Sequence, residues 1–453
     1  MTLTYDQALE AIHQFDDPYQ RALRDHGKQT WGLQGIRELL ARLDDPHLAY
    51  PTVHIAGTKG KGSTAAFAAQ GMMESGLKTG LYTSPPLQDW RERIQIDHQL
   101  IPREALAALV EDLLPHTEGM PLTAFEVTTA LAFLYFAREE CDAAVIEVGL
   151  GGRLDATNVV QPVVSVITNI SLDHTQLLGT TLTAIAHEKA AIIKPGVPVV
   201  SAPQEEPAER VIRKVAGEEH SSLSLVGKDW WYRPVEMDWD GSLAYMGTGN
   251  YEIPVEIGMP GEFQIENAAV AIEALNLAAQ QGLPITRPGR LAGLANARWP
   301  GRLEVVRRDP HVILDSAHNP RSVQVMVRAL QDLSTAEQAR GHKHFVFGCM
   351  ADKDVDAMLR ILLHAGQRLI LTRAAGERAA PVDDLLARAQ AIQQEMGSGA
   401  AGQGSTQILS APSTAEAVQM GLESLQENDI LCITGSLTVA GAARDQLVGR
   451  QDQ

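Results

Sequence analysis

The sequence predicts an α/β protein of two lobes: an N-terminal P-loop lobe on a parallel sheet with a small antiparallel β insert, then a C-terminal Rossmann-like α/β lobe. Three observations predict it. From Thr52 onward short β-branched runs alternate with longer amphipathic stretches, the pattern of βαβ units. A Gly/Lys loop breaks the first of these runs, and Pro300-Gly301 interrupts the alternation before it resumes. At 453 residues the chain exceeds one ordinary core. The expected division is 1–297 and 298–453.

Residues 5 to 45 read as helical, interrupted around Gly27 to Gly32, where Trp31 suits either a ligand lid or a packed turn. Strands are expected near 52–57, 79–83, 143–148, 163–168 and 197–201, with helices between them. The apolar stretch Leu122 to Ala137 is too short to span a bilayer and contains Glu126, so it reads as a buried helix. Around 222–258 the texture changes to Trp, Tyr, Gly and Asp in short alternating runs, which predicts the antiparallel insert. A helix follows across Phe263 to Gln281, and Leu294 to Gly301 reads as a linker. Beyond it, strands near 303–307, 311–315, 344–348, 368–372 and 430–434 alternate with helices near 320–331, 353–364, 382–395, 412–425 and 437–448. Gly397 to Gly404 reads as a flexible surface loop. Ligands are then expected at the carboxyl ends of the strands, in the cleft between the lobes.

Composition narrows the function classes. A net charge of −18 argues against bulk binding to nucleic acid or an anionic membrane, which needs clustered Lys and Arg. Positive charge for an anionic ligand must be concentrated locally. Cys141, Cys349 and Cys432 lie far apart among apolar residues, which favours free thiols in a reducing compartment. The first residues lack a basic and an apolar region of signal-peptide type, so the cytoplasm is expected.

The stretch His54-Ile-Ala-Gly-Thr-Lys-Gly-Lys-Gly-Ser-Thr64 reads as a phosphate cradle. Glycines permit positive φ, so consecutive N–H groups can face one anion, and a helix expected from Ser63 to Glu74 adds its positive end. Lys61 brings a full charge, and the Ser63 hydroxyl can hold a nucleotide-bound Mg²⁺. Glu147 ends an apolar strand and requires a partner, either a salt bridge or a metal. With Ser84 after strand 79–83 and His174 in Leu172-Asp-His174, it makes a candidate second Mg²⁺ site at adjacent strand tips. Lys189, at an apolar helix end, is compatible with snorkelling or a salt bridge. Asp315 stands where ribose-binding acids stand in doubly wound folds, and Asn319 suits a helix cap.

Taken in order, these segments resemble the folylpolyglutamate synthase/dihydrofolate synthase family within the Mur-type ATP-dependent amide ligases. The resemblance rests on Gly57 to Ser63, Thr83-Ser-Pro-Pro-Leu87, Glu92-Arg-Ile94, Thr123-Ala-Phe-Glu126, Glu147 to Asn158, Leu172-Asp-His174, Glu188-Lys189, Gly261 to Asn267, Pro300-Gly-Arg302 and Asp315 to Pro320, with Gly435-Ser-Leu437 a weaker match. It implies an ATP-binding N-terminal lobe and a glutamate-ligase C-terminal lobe. Thr58, Lys59, Gly60 and Lys61, with Gly62 and Ser63, would hold ATP phosphates. Asn267, Arg302 and Asp315 would complete the nucleotide site. Ser63, Ser84, Glu147 and His174 would serve two Mg²⁺ ions, and His318 would meet the incoming glutamate. Lys189 matches a lysine that the family carbamylates. Thr123, Ala124, Phe125 and Glu126, then Leu154, Asp155 and Ala156, and the loop Thr30, Trp31 and Gly32 fall where pteroate-type substrates bind. One departure is Pro86, where the family commonly has His, which leaves substrate preference open between dihydropteroate and reduced folates.

The implied activity is acyl-phosphate formation from ATP and attack by the L-glutamate amine, in a monomer with no nucleic-acid or membrane partner. Two other readings share the loop: another Mur-type amino-acid ligase, and a P-loop regulatory ATPase that closes without ligating. Thr123 to Glu126 and the Gly-rich run after Glu147 disfavour the first.

Overall fold

The computed structural model describes residues 3–15, 32–336, 341–397 and 406–449. Among these residues the first lobe is built on an eight-stranded sheet. Its strands are β1 Thr52–Ala56, β2 Thr79–Tyr82, β3 Ile94–Ile96, β4 Gln99–Leu100, β5 Ala143–Glu147, β6 Val164–Ile167, β7 Val199–Ser201 and β8 Leu223–Leu225. The order β4-β3-β2-β5-β1-β6-β7-β8 puts β1 between β5 and β6, parallel to both. Every residue of β1, β5 and β6 is buried, as strands covered on both faces require. One face carries the helices Lys61–Met73 and Glu262–Gln280, and the other carries Arg103–Leu113 and Ala124–Arg138.

The insert is narrower than the sequence suggests. Strand β8 joins the main sheet, parallel to β7. Only β9 Trp231–Met237, β10 Ser242–Thr248 and β11 Tyr251–Ile257 form the antiparallel sheet. Texture could not separate them, because Leu223–Leu225 is as short as a hairpin strand and pairs back across the helix Glu206–Glu218 rather than with the strand that follows it. The sheet is also not wholly parallel, since β3 and β4 form an antiparallel hairpin on one edge. Leu294 to Asn296, expected in a linker, instead end the helix Arg287–Asn296, so the crossing is shorter. The helix after the cradle begins at Lys61, two residues early. Gly397 closes the helix Val382–Gly397, and the remainder of its expected loop lies outside the described residues.

The second lobe holds six described strands: β12 Glu304–Arg308, β13 His311–Leu314, β14 Lys343–Phe347, β15 Arg368–Leu371, β16 Gln407–Ser410 and β17 Ile430–Thr434. They are ordered β12-β13-β17-β14-β15-β16, with β12 antiparallel at one edge and the rest parallel. The sequence reading passed over β16, whose burial is incomplete on a sheet edge. Two apolar clusters cover the faces of this sheet.

First-lobe side chains reach the second lobe's core, Trp239 deepest and Met237 and Phe263 beside it. Trp239, in the turn between β9 and β10, is 1 % exposed and packs in the second lobe's core with Leu303, Ile313 and Val323. Its ring lies 4.6 Å from that of His311, and next to it Asp240 pairs with Arg308. Among the described residues no helix is long and apolar enough to cross a membrane. Trp239→Ala, which empties a buried aromatic site, should cost about 3–5 kcal/mol. A urea midpoint unchanged from that of the parent would contradict this.

Candidate functional site

The cradle lies where β1 gives way to its helix. The Thr58 and Lys59 N–H groups both donate to Asn169 O, at 2.8 and 3.3 Å, and Thr58 Oγ1 exchanges hydrogen bonds of 3.1 Å with the Ser171 backbone. The loop is thereby fastened to the segment after β6. The anion-facing donors are then the N–H groups of the helix's first turn, beginning at Lys61. Gly60 has φ +92°, and a Cβ there would lie 2.3 Å from Asn267 Oδ1. Gly62 is crowded from another side, since a Cβ there would lie 2.8 Å from the indole nitrogen of Trp299. Asn267 Nδ2 donates to Gln264 Oε1 at 2.9 Å, which leaves Oδ1 toward the loop.

Charges converge on this turn from both lobes. Lys59 Nζ lies 3.0 Å from Asp173 Oδ2 and 3.2 Å from His318 Nε2, so the loop touches the segment after β6 and the segment after β13 at once. His318 Nδ1 lies 2.9 Å from Ser316 O and acts as the donor there, which leaves Nε2 as the acceptor for Lys59. Burial, reinforced by Lys59, pushes the His318 imidazole down to about 3, so the ring is neutral. Burial also lowers Lys59, against the opposing pull of Asp173. Burial alone would raise the Asp173 carboxyl, but Lys59 holds it below the usual range.

Glu147 is 5 % exposed. Its Oε2 accepts from Ser84 N at 3.1 Å, and Oε1 lies 3.8 Å from Lys61 Nζ. Burial raises its pKa, and Lys61 opposes the rise. Ser84 and Glu147 share the lining of an interlobe cleft of about 590 Å³ with Gly62, Trp299 and Arg302. His174 is outside that lining. It sits in the left-handed region, φ 50°, with Nε2 4.0 Å from Asp173 Oδ1. Among the described residues no three His, Cys, Asp or Glu side chains gather as a ready metal cluster. Asp315 spends both oxygens on backbone N–H groups, Leu303 and Ala317, each at 2.9 Å. Asn319 accepts from Ser322 N, as the capping expectation holds.

Lys189 is 4 % exposed, and its Nζ donates to Gly57 O at 2.8 Å, so it braces the cradle from beneath. Burial, then Lys61, brings its pKa down to about 7.

Of the residues expected at a pteroate site, Leu154 lines a second depression of about 560 Å³, together with Leu33, Gln34, Arg37, Glu38 and Arg153. Thr123 and Glu126 form a reciprocal cap on the helix Ala124–Arg138. A Thr-x-x-Glu spacing before an apolar run carries that signal in the sequence. Ala124 opens the same helix, and Phe125 packs 6.2 Å from Tyr82. Asp155 is saturated by Leu150 N and Thr157 N and caps the turn that Ala156 begins. Gly32 is exposed, whereas Thr30 and Trp31 lie outside the described residues. Sequence reading gave no role to Trp299, in the expected linker, or to Asp173 and Arg93, which sit in quoted motifs but have no distinctive spacing of their own.

The Mur ligase middle domain matches residues 55–275, and the Mur ligase glutamate ligase domain matches 301–437. The folylpolyglutamate synthase of Lacticaseibacillus casei is 34 % identical over 457 residues, covering 99 % of both chains. A probable bifunctional folylpolyglutamate synthase/dihydropteroate synthase of Haloferax volcanii is 39 % identical over 348 residues; this covers 73 % of the present chain but only 40 % of that longer protein. The structure of E. coli FolC in complex with DHPP and ADP superposes with a TM-score of 0.80 at 28 % identity, covering 96 % of this chain and 98 % of that one.

Two outcomes check the site's electrostatics and sterics. The Lys189 ammonium is charged in the unfolded chain up to about 10.5 but in the folded chain only to about 7. Below pH 7 folding therefore carries the full cost of burying that charge, and the cost disappears as pH rises to 10.5. Relative to the parent in CO₂-free buffer, Lys189→Met should lose stability as pH rises from 7, by about 1.4 kcal/mol per unit. A pH-independent difference in urea unfolding would count against it. Gly60→Ala should weaken nucleotide binding, measured by calorimetry, because the strained turn must shift.

Proposed function

Since the chain belongs to the folylpolyglutamate synthase family of Mur ligases, we propose that it joins L-glutamate to a pterin acid, dihydropteroate or a reduced folate, with ATP as the energy source. The observation that carries this reading is the meeting of both lobes on the phosphate loop, where Lys59 of one touches His318 of the other. A carboxylate is a poor electrophile, so an oxygen of the acid attacks the γ-phosphorus and ADP departs. The glutamate amine adds to the resulting acyl phosphate, loses a proton, and expels phosphate as the amide forms.

Two anions must approach in the first step, so positioning and charge neutralisation carry the catalysis. Thr58, Lys59, Gly60, Lys61, Gly62 and Ser63 would hold the phosphates, with Asn267, Arg302 and Asp315 on the nucleotide's other side. Residues 1–297 would bind ATP, and 298–453 would present glutamate beside neutral His318. Closure of the cleft would exclude water from the acyl phosphate.

Glu147 and Ser84, which share the cleft lining, fit a magnesium ion. Glu147 Oε1 has only a cation at 3.8 Å and keeps unspent coordination capacity. Ser63 and Ser84 would add hydroxyl oxygens, and His174 would complete the shell for two ions. When bound, Mg²⁺ supplies charge neutralisation at the phosphates. A lysine near pKa 7 has a large neutral fraction at physiological pH, and its free lone pair can take up CO₂ as a carbamate with release of a proton. Carbamylated Lys189 would then be an anion beneath the cradle. The proposal includes a cytoplasmic monomer with small-molecule partners only.

Incubation with ATP, Mg²⁺, glutamate and either dihydropteroate or tetrahydrofolate should give a product heavier by one or more glutamyl units. Lys61→Ala should lower turnover by at least about 100-fold with an unchanged circular dichroism spectrum, and near-parent turnover would refute the phosphate assignment. Intact mass under bicarbonate should show one carbamate that Lys189→Met lacks.

A further inference from the structure

Arg93 ends the short turn Trp90–Arg93 and enters β3, where its carbonyl accepts from Thr83 N at 3.1 Å. That bond places it at the carboxyl-end edge of the sheet, one residue from Ser84. Its Nε is fully buried without a hydrogen-bond partner, and no ion pair to its guanidinium forms among the described residues. An uncompensated buried cation is costly.

Among the described residues no carboxylate near it pairs with its guanidinium. Glu92 accepts from the N–H groups of Leu87, Gln88 and Asp89. Glu147 accepts from Ser84 N and faces Lys61. The Tyr82 hydroxyl is 3.0 Å from Thr129 Oγ1. Burial lowers the Arg93 pKa, and Tyr82, Glu147 and Glu92 oppose that shift. Thr83, Ser84, Glu92, Gln95 and Glu147 line the interlobe cleft, and Arg93 lies behind that lining.

We propose that Arg93 is the receptor for the carboxylate of the acceptor acid, the group to be phosphorylated. This rests on the ligase reading and adds to it a binding residue. The missing partner must be anionic, small enough to enter beside Glu147, and present only in the complex, and a carboxylate fits a planar guanidinium fork. ATP phosphates have their own donors in the loop at Lys59 and Lys61. Arg93 therefore sets where the acid's oxygens lie relative to the γ-phosphate without touching the nucleotide.

The test compares Arg93→Gln and Arg93→Lys with the parent, using dihydropteroate and tetrahydrofolate as acceptors. Arg93→Gln should raise the acceptor KM by at least about 10-fold while leaving the KM values for ATP and glutamate within about twofold. Arg93→Lys should fall between, since it keeps the charge but loses the fork. Without ligands Arg93→Gln should melt at or above the parent temperature, because an unpaired buried charge has been removed. Acceptor should raise the melting temperature of the parent and not of Arg93→Gln. An unchanged acceptor KM, or a variant that fails to fold, overturns the assignment. A parent enzyme that ligates neither acid overturns the ligase reading instead.

Discussion

Everything at the site depends on where β1 lies. As a fully buried strand between β5 and β6, it must turn into a helix at the middle of the sheet, with neighbouring strand ends on both sides. One neighbour delivers Glu147 and the other delivers Asn169 and Asp173. The loop is pinned by Asn169 O and Lys189 Nζ, and its width is set by Asn267 against Gly60. A substitution that moves this turn moves both flanks with it, because interiors are close-packed and transmit strain.

The electrostatic design follows from the same geometry. A chain of net charge −18 gathers Lys59, Lys61 and Lys189 about the cradle and sets Arg302 in the cleft beside it. Burial lowers Lys59, Lys189 and Arg93, so the folded protein holds poorly solvated positive charge that an anionic ligand relieves. His318 is kept neutral in that company and accepts a hydrogen bond where a charged ring would repel.

The sequence made the centre of the fold legible because its signals are local. The runs at Thr52, Ala143 and Val164 are apolar on both faces, and the Gly/Lys turn and the acids at strand tips follow them directly. The order of lobes and the shared cleft were readable on the same grounds. Less legible were features whose partners are distant. Strand β8 depends on pairing with β7, and the reach of Trp239 into the second core depends on the folded insert. Thr123 and Glu126 were read through family likeness as substrate contacts, although their spacing also encodes the cap they form. Arg93 carries no signal in composition, since only the folded structure reveals that its neighbours are already engaged.

The position of Trp239 has a mechanical consequence. The two lobes are joined by the peptide around Pro300 and also, far along the chain, by an indole seated in the opposite core beside the Asp240–Arg308 pair. The insert thus ties the lobes together a second time, so that any relative movement of the two must carry the indole along or draw it from its socket.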